Sequence, residues 1–336
     1  MIAIQPYSNF AERWITYCEK NDISYKLVNV YDIDIVSQLS DCDAFMWHHS
    51  QNNPKALLAA KPILFSIQQA GFKVFPDFNT AWHFDDKLGQ KYLLEALHVP
   101  LVPSYVFFDK NEALDWAGKT SYPKVFKLRR GAGSANVKLV NNLLEAKTLI
   151  IKAFDRGFSN YDSWGSIKET WRKWRFGKAT LEDLLKGFYR LIKKPAFSIV
   201  AGKEVGYVYF QDFIPGNDSD IRVIVIGDKA FAIKRMTRKN DFRASGSGDI
   251  VYEKEHFDIT TIQSAFGIHN KLHSQCTAMD FIYNAANKPL LTEISYGFAP
   301  KAYDTCPGYW DDKLNWHEGK FDPYGWMVEE VLKNAN

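Results

Sequence analysis

Apolar and polar positions alternate along the chain in three rhythms. In residues 1–85, short apolar runs at 2–5, 25–30, 44–47 and 73–75 are separated by helically spaced segments at 10–19, 33–39 and 54–70. This β-α-β-α order predicts a small parallel sheet with crossover helices. Helical spacing returns from Asp85 or Asp86, either of which can serve as N-cap, to about residue 97, where His98-Val99-Pro100 stops it. Strands are predicted at 125–128 and 137–140, on either side of the loop Gly131-Ala132-Gly133-Ser134. Residues 156–204 interrupt the rhythm with a basic, tryptophan-bearing stretch at 167–176 and an amphipathic helix at 181–192. Beyond residue 206 period-two alternation dominates. Runs at 207–214, 221–226 and 230–236 read as a meander of antiparallel strands, and those at 278–283 and 289–294 as a hairpin around 284–288. An aromatic tail and a closing helix at 325–332 complete an α/β chain of three regions, 1–85, 86–205 and 206–336.

Composition changes this picture little. Hydrophobic residues at 46%, charged residues at 24% and a net charge of +3 over 336 residues describe an ordinary globular protein, with no global call for nucleic acid or an anionic membrane. Four scattered cysteines without a CxxC pair fit reduced thiols and a cytoplasmic setting. The N-terminus meets Glu12 before any long apolar run, which argues against a signal peptide, and no segment has membrane-spanning length.

The candidate chemistry concentrates after residue 206. Lys234, Arg235, Arg238, Lys239 and Arg243, with Arg222 on the preceding strand, lead into a flexible loop, Ser245-Gly246-Ser247-Gly248. Such a set suits a polyanion, or else is a solvated charged hairpin. Asp280 and Glu293 interrupt apolar runs on the two predicted hairpin strands, where they can share magnesium beside substrate phosphates; two acids facing solvent is the alternative. Lys127 beside Gly131, Gly133 and Ser134 can cradle an anion or form an unliganded turn. His48 and His49 follow the third predicted strand of the parallel sheet, at the end where ligands gather, and are candidate substrate contacts.

The segments FQDFIPG, DIRVIVIGDK, DFRASGSG, MDFIYN and LLTEIS, in this order, resemble those of the ATP-grasp carboxylate–amine ligases, especially the branch of glutathione synthetase and the ribosomal-protein-modifying glutamate ligases. The likeness covers most of the chain after about Phe84. It implies an N-terminal parallel α/β domain, then two α+β lobes that sandwich ATP, with one or two Mg2+ ions for which Mn2+ can substitute. By the same resemblance, Lys87, Lys127 (in preference to Lys124) and Lys234 reach the nucleotide, as do Gly131, Gly133 and Ser134. Gln211, Asp212, Phe213 and Ile214 form the adenine hinge, and Asp218 or Asp220 meets the ribose. Arg222 and Arg243 steady the transferred phosphate, and Asp280, Glu293 and Ser295 hold metal. Ser295 and Ser245 stand where asparagine is common in the family. Arg235, Ser245, Gly246 and Tyr296, with the two histidines, are the substrate candidates.

The implied reaction joins a carboxylate to an amine through an acyl phosphate. The EISYGF and CPGYWD endings resemble sequences of surface-polysaccharide loci, so a small-molecule or glycan carboxylate is the expected acceptor. A glutamate or amino-acid ligase acting on a peptide or protein terminus, and a non-catalytic ATP binder, are the alternatives. A homodimer is compatible with all three.

Overall fold

The computed structural model describes the chain except residues 132–135, 162–164, 166, 168–169, 172–173, 176–179, 193–194, 239–240, 245–247 and 334–336; in the helix Leu181–Ile192 it describes side chains at 182–183, 185–186 and 188–189. Residues 1–75 form a four-stranded parallel sheet of β1 (Ile2–Ile4), β2 (Tyr25–Leu27), β3 (Ala44–Met46) and β4 (Lys73–Phe75), in the order β2-β1-β3-β4. Its helices follow the expected spacing. In α1 (Asn9–Lys20), capped by Ser8 Oγ accepting from Ala11 N, the buried residues Phe10, Trp14 and Cys18 recur every fourth position. Gly325, at the start of the closing helix Pro323–Leu332, lets that helix lie against α1, because a Cβ there would fall 2.2 Å from the Tyr17 ring.

The second sheet is antiparallel and contains β5 (Ser104–Phe107), β6 (Lys124–Lys127) and β7 (Val137–Val140). A two-residue ribbon, β8 (Phe158–Ser159) with β9 (Lys203–Glu204), closes the neck of the 156–204 segment. The fourth strand of the second sheet is β10 (Val208–Asp212), inserted between β5 and β6. This differs from the expected meander. Residues 213–218, with Pro215 and with Gly216 at φ +87°, are too long for a tight hairpin, and they carry the chain to another sheet. Asn217 fixes the crossing, since its amide donates to Ile214 O and Tyr283 O and accepts from Tyr283 N.

The third sheet is built on β11 (Ser219–Ile226), β12 (Lys229–Met236), β13 (Ile250–Val251), β14 (Cys276–Tyr283), β15 (Pro289–Ser295), β16 (Gly308–Asp311) and β17 (Trp316–Glu318). Its strand order is β15-β14-β11-β12-β16-β17, with β13 paired to β12. One face packs against the helix Ile259–Leu272, the other against Tyr296, Phe298 and the closing helix. Among the described residues of the 156–204 segment, Trp171 and Trp174 are not core: they are 50% and 43% exposed, and Leu185, Phe188 and Tyr189 are exposed with them. All four cysteines are free thiols, and no described helix is long and apolar enough to cross a membrane.

Candidate active site

A cavity of about 650 Å3, within the usual size of small-molecule sites, lies where the three sheets meet. Its floor is the third sheet. Strand register sets the order of charges there: Arg235 of β12 lies opposite Asp220 of β11, Arg222 of β11 opposite Asp280 of β14, and Asp280 opposite Glu293 of β15. The side chains pair as the register directs. Arg235 grips Asp220 at 2.6 and 2.7 Å and reaches Asp280 at 2.9 Å, while Arg222 holds Asp280 at 2.6 and 3.2 Å. Burial pushes the Asp280 carboxyl up, and the two arginines more than reverse this, leaving it below the usual carboxylate range. Asp220 stays above that range, because burial and the neighbouring Asp280 outweigh Arg235.

The roof of this charge row comes from α5 (Lys87–Ala96). Asp86 caps it by accepting from Gly89 N at 3.0 Å. Gln90 then binds the Ile294 peptide on the edge strand β15, donating to its oxygen at 2.8 Å and accepting from its nitrogen at 3.3 Å. This docking places Lys87, the first residue of the helix, with its Nζ 3.0 Å from Glu293 Oε1 and donating to Gly131 O at 2.9 Å. Burial lowers the Lys87 pKa, but Glu293 and Asp85 outweigh it and hold the group charged. Lys127, buried at the end of β6, has no hydrogen bond or ion pair with any described residue, and burial pulls it down to about 8. Lys124, three residues earlier and so on the opposite face of the strand, is spent on Asp212 at 2.6 Å.

At the far end Gln211, Asp212, Phe213 and Ile214 line the cavity as β10 leaves its sheet. Phe213 meets the Phe242 ring edge-on at 5.9 Å. Arg243 also lines the cavity and is bound to Asp241 at 2.6 Å. The wall toward the first sheet is formed by His48 and His49, beyond β3 and beside the β1/β3 switch point of the parallel sheet. His48 stacks on Phe10 at 3.9 Å, and Phe84 meets His49 edge-on. Burial pushes the two imidazoles down to about 4 and about 3, so both are neutral. His48 Nδ1 and His49 Nε2 are buried with no hydrogen-bond partner among the described residues.

Of the residues expected from the sequence, Lys87, Lys127, Gly131, Gln211, Asp212, Phe213, Ile214, Asp220, Arg222, Arg243, Asp280, Glu293, Ser295, His48 and His49 line this one cavity. Asp218, Lys234, Arg235 and Tyr296 do not. Arg235 lies beneath the wall as the partner of two wall carboxylates, and Tyr296 is fully buried, its hydroxyl donating to His49 O at 3.0 Å. Gly133, Ser134, Ser245 and Gly246 fall outside the described residues. Sequence reasoning missed Asp85, whose positive φ of 55° turns its carboxylate to accept from Gly131 N at 2.8 Å. It also missed Gln90 and Asn217, whose amides tie the walls together; each sits among other polar residues, so the sequence offered no signal for it.

The donor set suits a hard divalent cation. Two carboxylates face each other across one strand pair, and the Ser295 hydroxyl follows Glu293 by two residues on the same face. No group of three or more histidine, cysteine or acidic side chains with metal-binding geometry occurs among the described residues. The remaining coordination would therefore come from phosphate and water, as is usual for Mg2+.

No protein-family profile matches the chain. The alpha-aminoadipate–LysW ligase LysX of Saccharolobus solfataricus is 24% identical over 229 residues, and the match spans 66% of this chain and 66% of the length of that relative. Among solved structures, the chain is similar to a RimK-domain ATP-grasp protein from Sphaerobacter thermophilus (TM-score 0.58, 15% identity, 99% of both chains). It is similar as well to biotin carboxylase from Campylobacter jejuni in complex with an ATP analogue (TM-score 0.60, 13% identity, 100% of this chain and 71% of that one). A third is D-alanine–D-alanine ligase from Bacillus anthracis with ATP (TM-score 0.54, 11% identity, 98% and 94%).

Proposed function

The chain has the ATP-grasp fold, and from that premise we propose that it is an ATP-dependent ligase that joins a carboxylate to an amine through an acyl phosphate. The observation that carries this is the row of charge along one cavity wall: Arg222, Asp280 and Glu293 in adjacent register, with Lys87 and Lys127 facing them. A triphosphate brings several negative charges, and prearranged cations meet them at little reorganisation cost. Asp280, Glu293 and Ser295 would hold Mg2+, which when bound neutralises phosphate charge.

A carboxylate oxygen attacks the γ-phosphorus, the bond to the β-γ bridging oxygen breaks and ADP leaves. The amine nitrogen then attacks the acyl carbon, phosphate departs and the amine gives up a proton. Lys127 and Lys87 bind the phosphates, and Arg222 and Arg243 steady the charge on the transferred group. The Phe213–Ile214 backbone borders the base, where Phe242 supplies an apolar face.

LysX acts on an amino acid, as its name states, and this favours an amino-acid or peptide substrate over a surface-polysaccharide precursor. ADP release from Mg2+, ATP and pooled amino acids, peptides and uronic acids tests the proposal. Turnover with at least one pool is expected; ATP binding with no release from any pool would favour the non-catalytic reading.

A further inference from the structure

A second cavity, of about 90 Å3, adjoins the first and shares with it the wall made by His49, Ser50, Gln51, Phe84 and Asp85. It is bounded on one side by α3 (Pro54–Gln69), which contributes Lys61, and on the other by Arg129 and Arg130, which follow β6. Three cations thus converge on a space of roughly three water molecules, enough for a carboxylate or a phosphate group. The two acids in its lining are already engaged. Asp86 caps α5 and pairs with Arg129, and Asp85 accepts from Gly131 N. Lys61 and Arg130 bond only to neutral carbonyls among the described residues, Lys61 to Trp82 O at 2.6 Å and Arg130 to Ala201 O at 3.3 Å. Burial holds the Lys61 ammonium below the ordinary lysine range; Asp86 opposes this, while Arg129 and Arg130 add to it. Two further polar atoms at the same place, His49 Nε2 and Arg129 Nε, are buried with no hydrogen-bond partner among the described residues. Lys61 and Arg130, with no ion pair to any described acid and with unmet polar atoms beside them, would be relieved by an anion.

Resting on the ligase reading above, we propose that this side pocket receives an oxyanion, a carboxylate or phosphate substituent of the co-substrate whose reacting group lies in the main cavity. Lys61 and Arg130 are its cationic contacts, and His49 Nε2 is a neutral one. The protein therefore selects an acidic co-substrate over its uncharged isostere. Because Arg129 and Arg130 lead directly into Gly131, filling the pocket also fixes the segment that Lys87 and Asp85 hold over the main cavity.

The test uses the full chain and a Lys61→Met/Arg130→Gln variant, neither residue belonging to the nucleotide site. With that site filled by Mg2+ and a non-hydrolysable ATP analogue, inorganic phosphate is titrated calorimetrically. The wild type is expected to bind it, and the variant to bind about tenfold or more weakly while its affinity for the nucleotide analogue stays unchanged. In a second arm, ADP release is compared for glutamate against glutamine and O-phosphoserine against serine. The acidic member is expected to lead by about tenfold or more in kcat/KM, with the variant losing that preference through KM. Equal phosphate binding by both proteins would overturn the pocket. Phosphate binding without any preference for the acidic member would make it a free-anion site and overturn the substrate assignment. If neither pair supports ADP release although one of the pools does, the substrate assignment is overturned and the ligase reading stands; if no pool does, the ligase reading fails and takes the substrate assignment with it, while the phosphate titration still decides the pocket.

Discussion

The two walls of the main cavity keep polar groups from water in opposite ways. On the third sheet buried charges are answered by a neighbour: Arg235 by Asp220 and Arg222 by Asp280 across one strand, and Glu293 by Lys87 from the roof helix. On the wall of the first sheet, His48 and His49 are stripped of charge by burial, stacked among Phe10 and Phe84, and left with unmet nitrogens. A wall of paired charge suits a ligand whose charges are fixed, such as a metal-bound triphosphate. A neutral aromatic wall with free nitrogens reads shape and hydrogen bonding instead, so it suits the partner that differs from one ligase to another.

The sharpest way to break this contrast is Asp280→Ala. It leaves Arg222 and Arg235 buried side by side with one fewer acid, so unfolding in urea should reveal a loss of about 3–5 kcal/mol. Glu293→Gln, at a more exposed side chain, should cost far less stability. If the two variants are equally stable, the charge row is not a cooperative unit. Next comes Arg222→Met, for which kcat should fall roughly 10²–10³-fold with the chain still folded, because Asp280 keeps Arg235; a change confined to KM would place Arg222 outside the transfer step.

Lys127 gives a pH signature of intermediate size. Its pKa in the free protein is depressed to about 8, and bound phosphates favour the charged form, so nucleotide binding takes up a proton above pH 8. Affinity should therefore weaken by up to about tenfold per pH unit above 8, and stay flat in Lys127→Arg. For stability the sign is opposite: the unfolded chain binds more protons between about 8 and 10.5, so this lysine's cost is full below pH 8 and fades as pH rises. The smallest effect is on the neutral wall. His49→Phe should raise the co-substrate KM by about tenfold and leave the nucleotide dissociation constant within about twofold. Since both histidines stay neutral above pH 5, neither should appear in the pH profile between 5 and 8.

The difference between the walls also explains what the sequence could reveal. That Asp280 and Glu293 lie on neighbouring strands was legible from the hairpin, but their direct opposition was not: the loop's register alone would set Asp280 against Thr292, and a bulge between Asp280 and Phe281 brings Glu293 there instead. Lys127 and Lys124 separate by the parity of their positions once β6 is recognised as a strand. Sheet membership was not legible: the alternation of β10 is the same whether it joins β11 or inserts between β5 and β6, and only the turn at 213–218 decides. Nor could aromatic content distinguish burial from exposure, as Trp14 is fully buried and Trp171 half exposed. Asp85 escaped because its role depends on a positive φ between two adjacent acids, a distinction invisible in Asp-Asp-Lys.

Calorimetric titration of ATP into the wild type and into Glu293→Gln, each with and without Mg2+, examines the paired-charge wall most directly. The account predicts a single site whose affinity depends on Mg2+ in the wild type and loses most of that dependence in the variant. Affinity equal with and without the metal, or no nucleotide uptake at all, would contradict it.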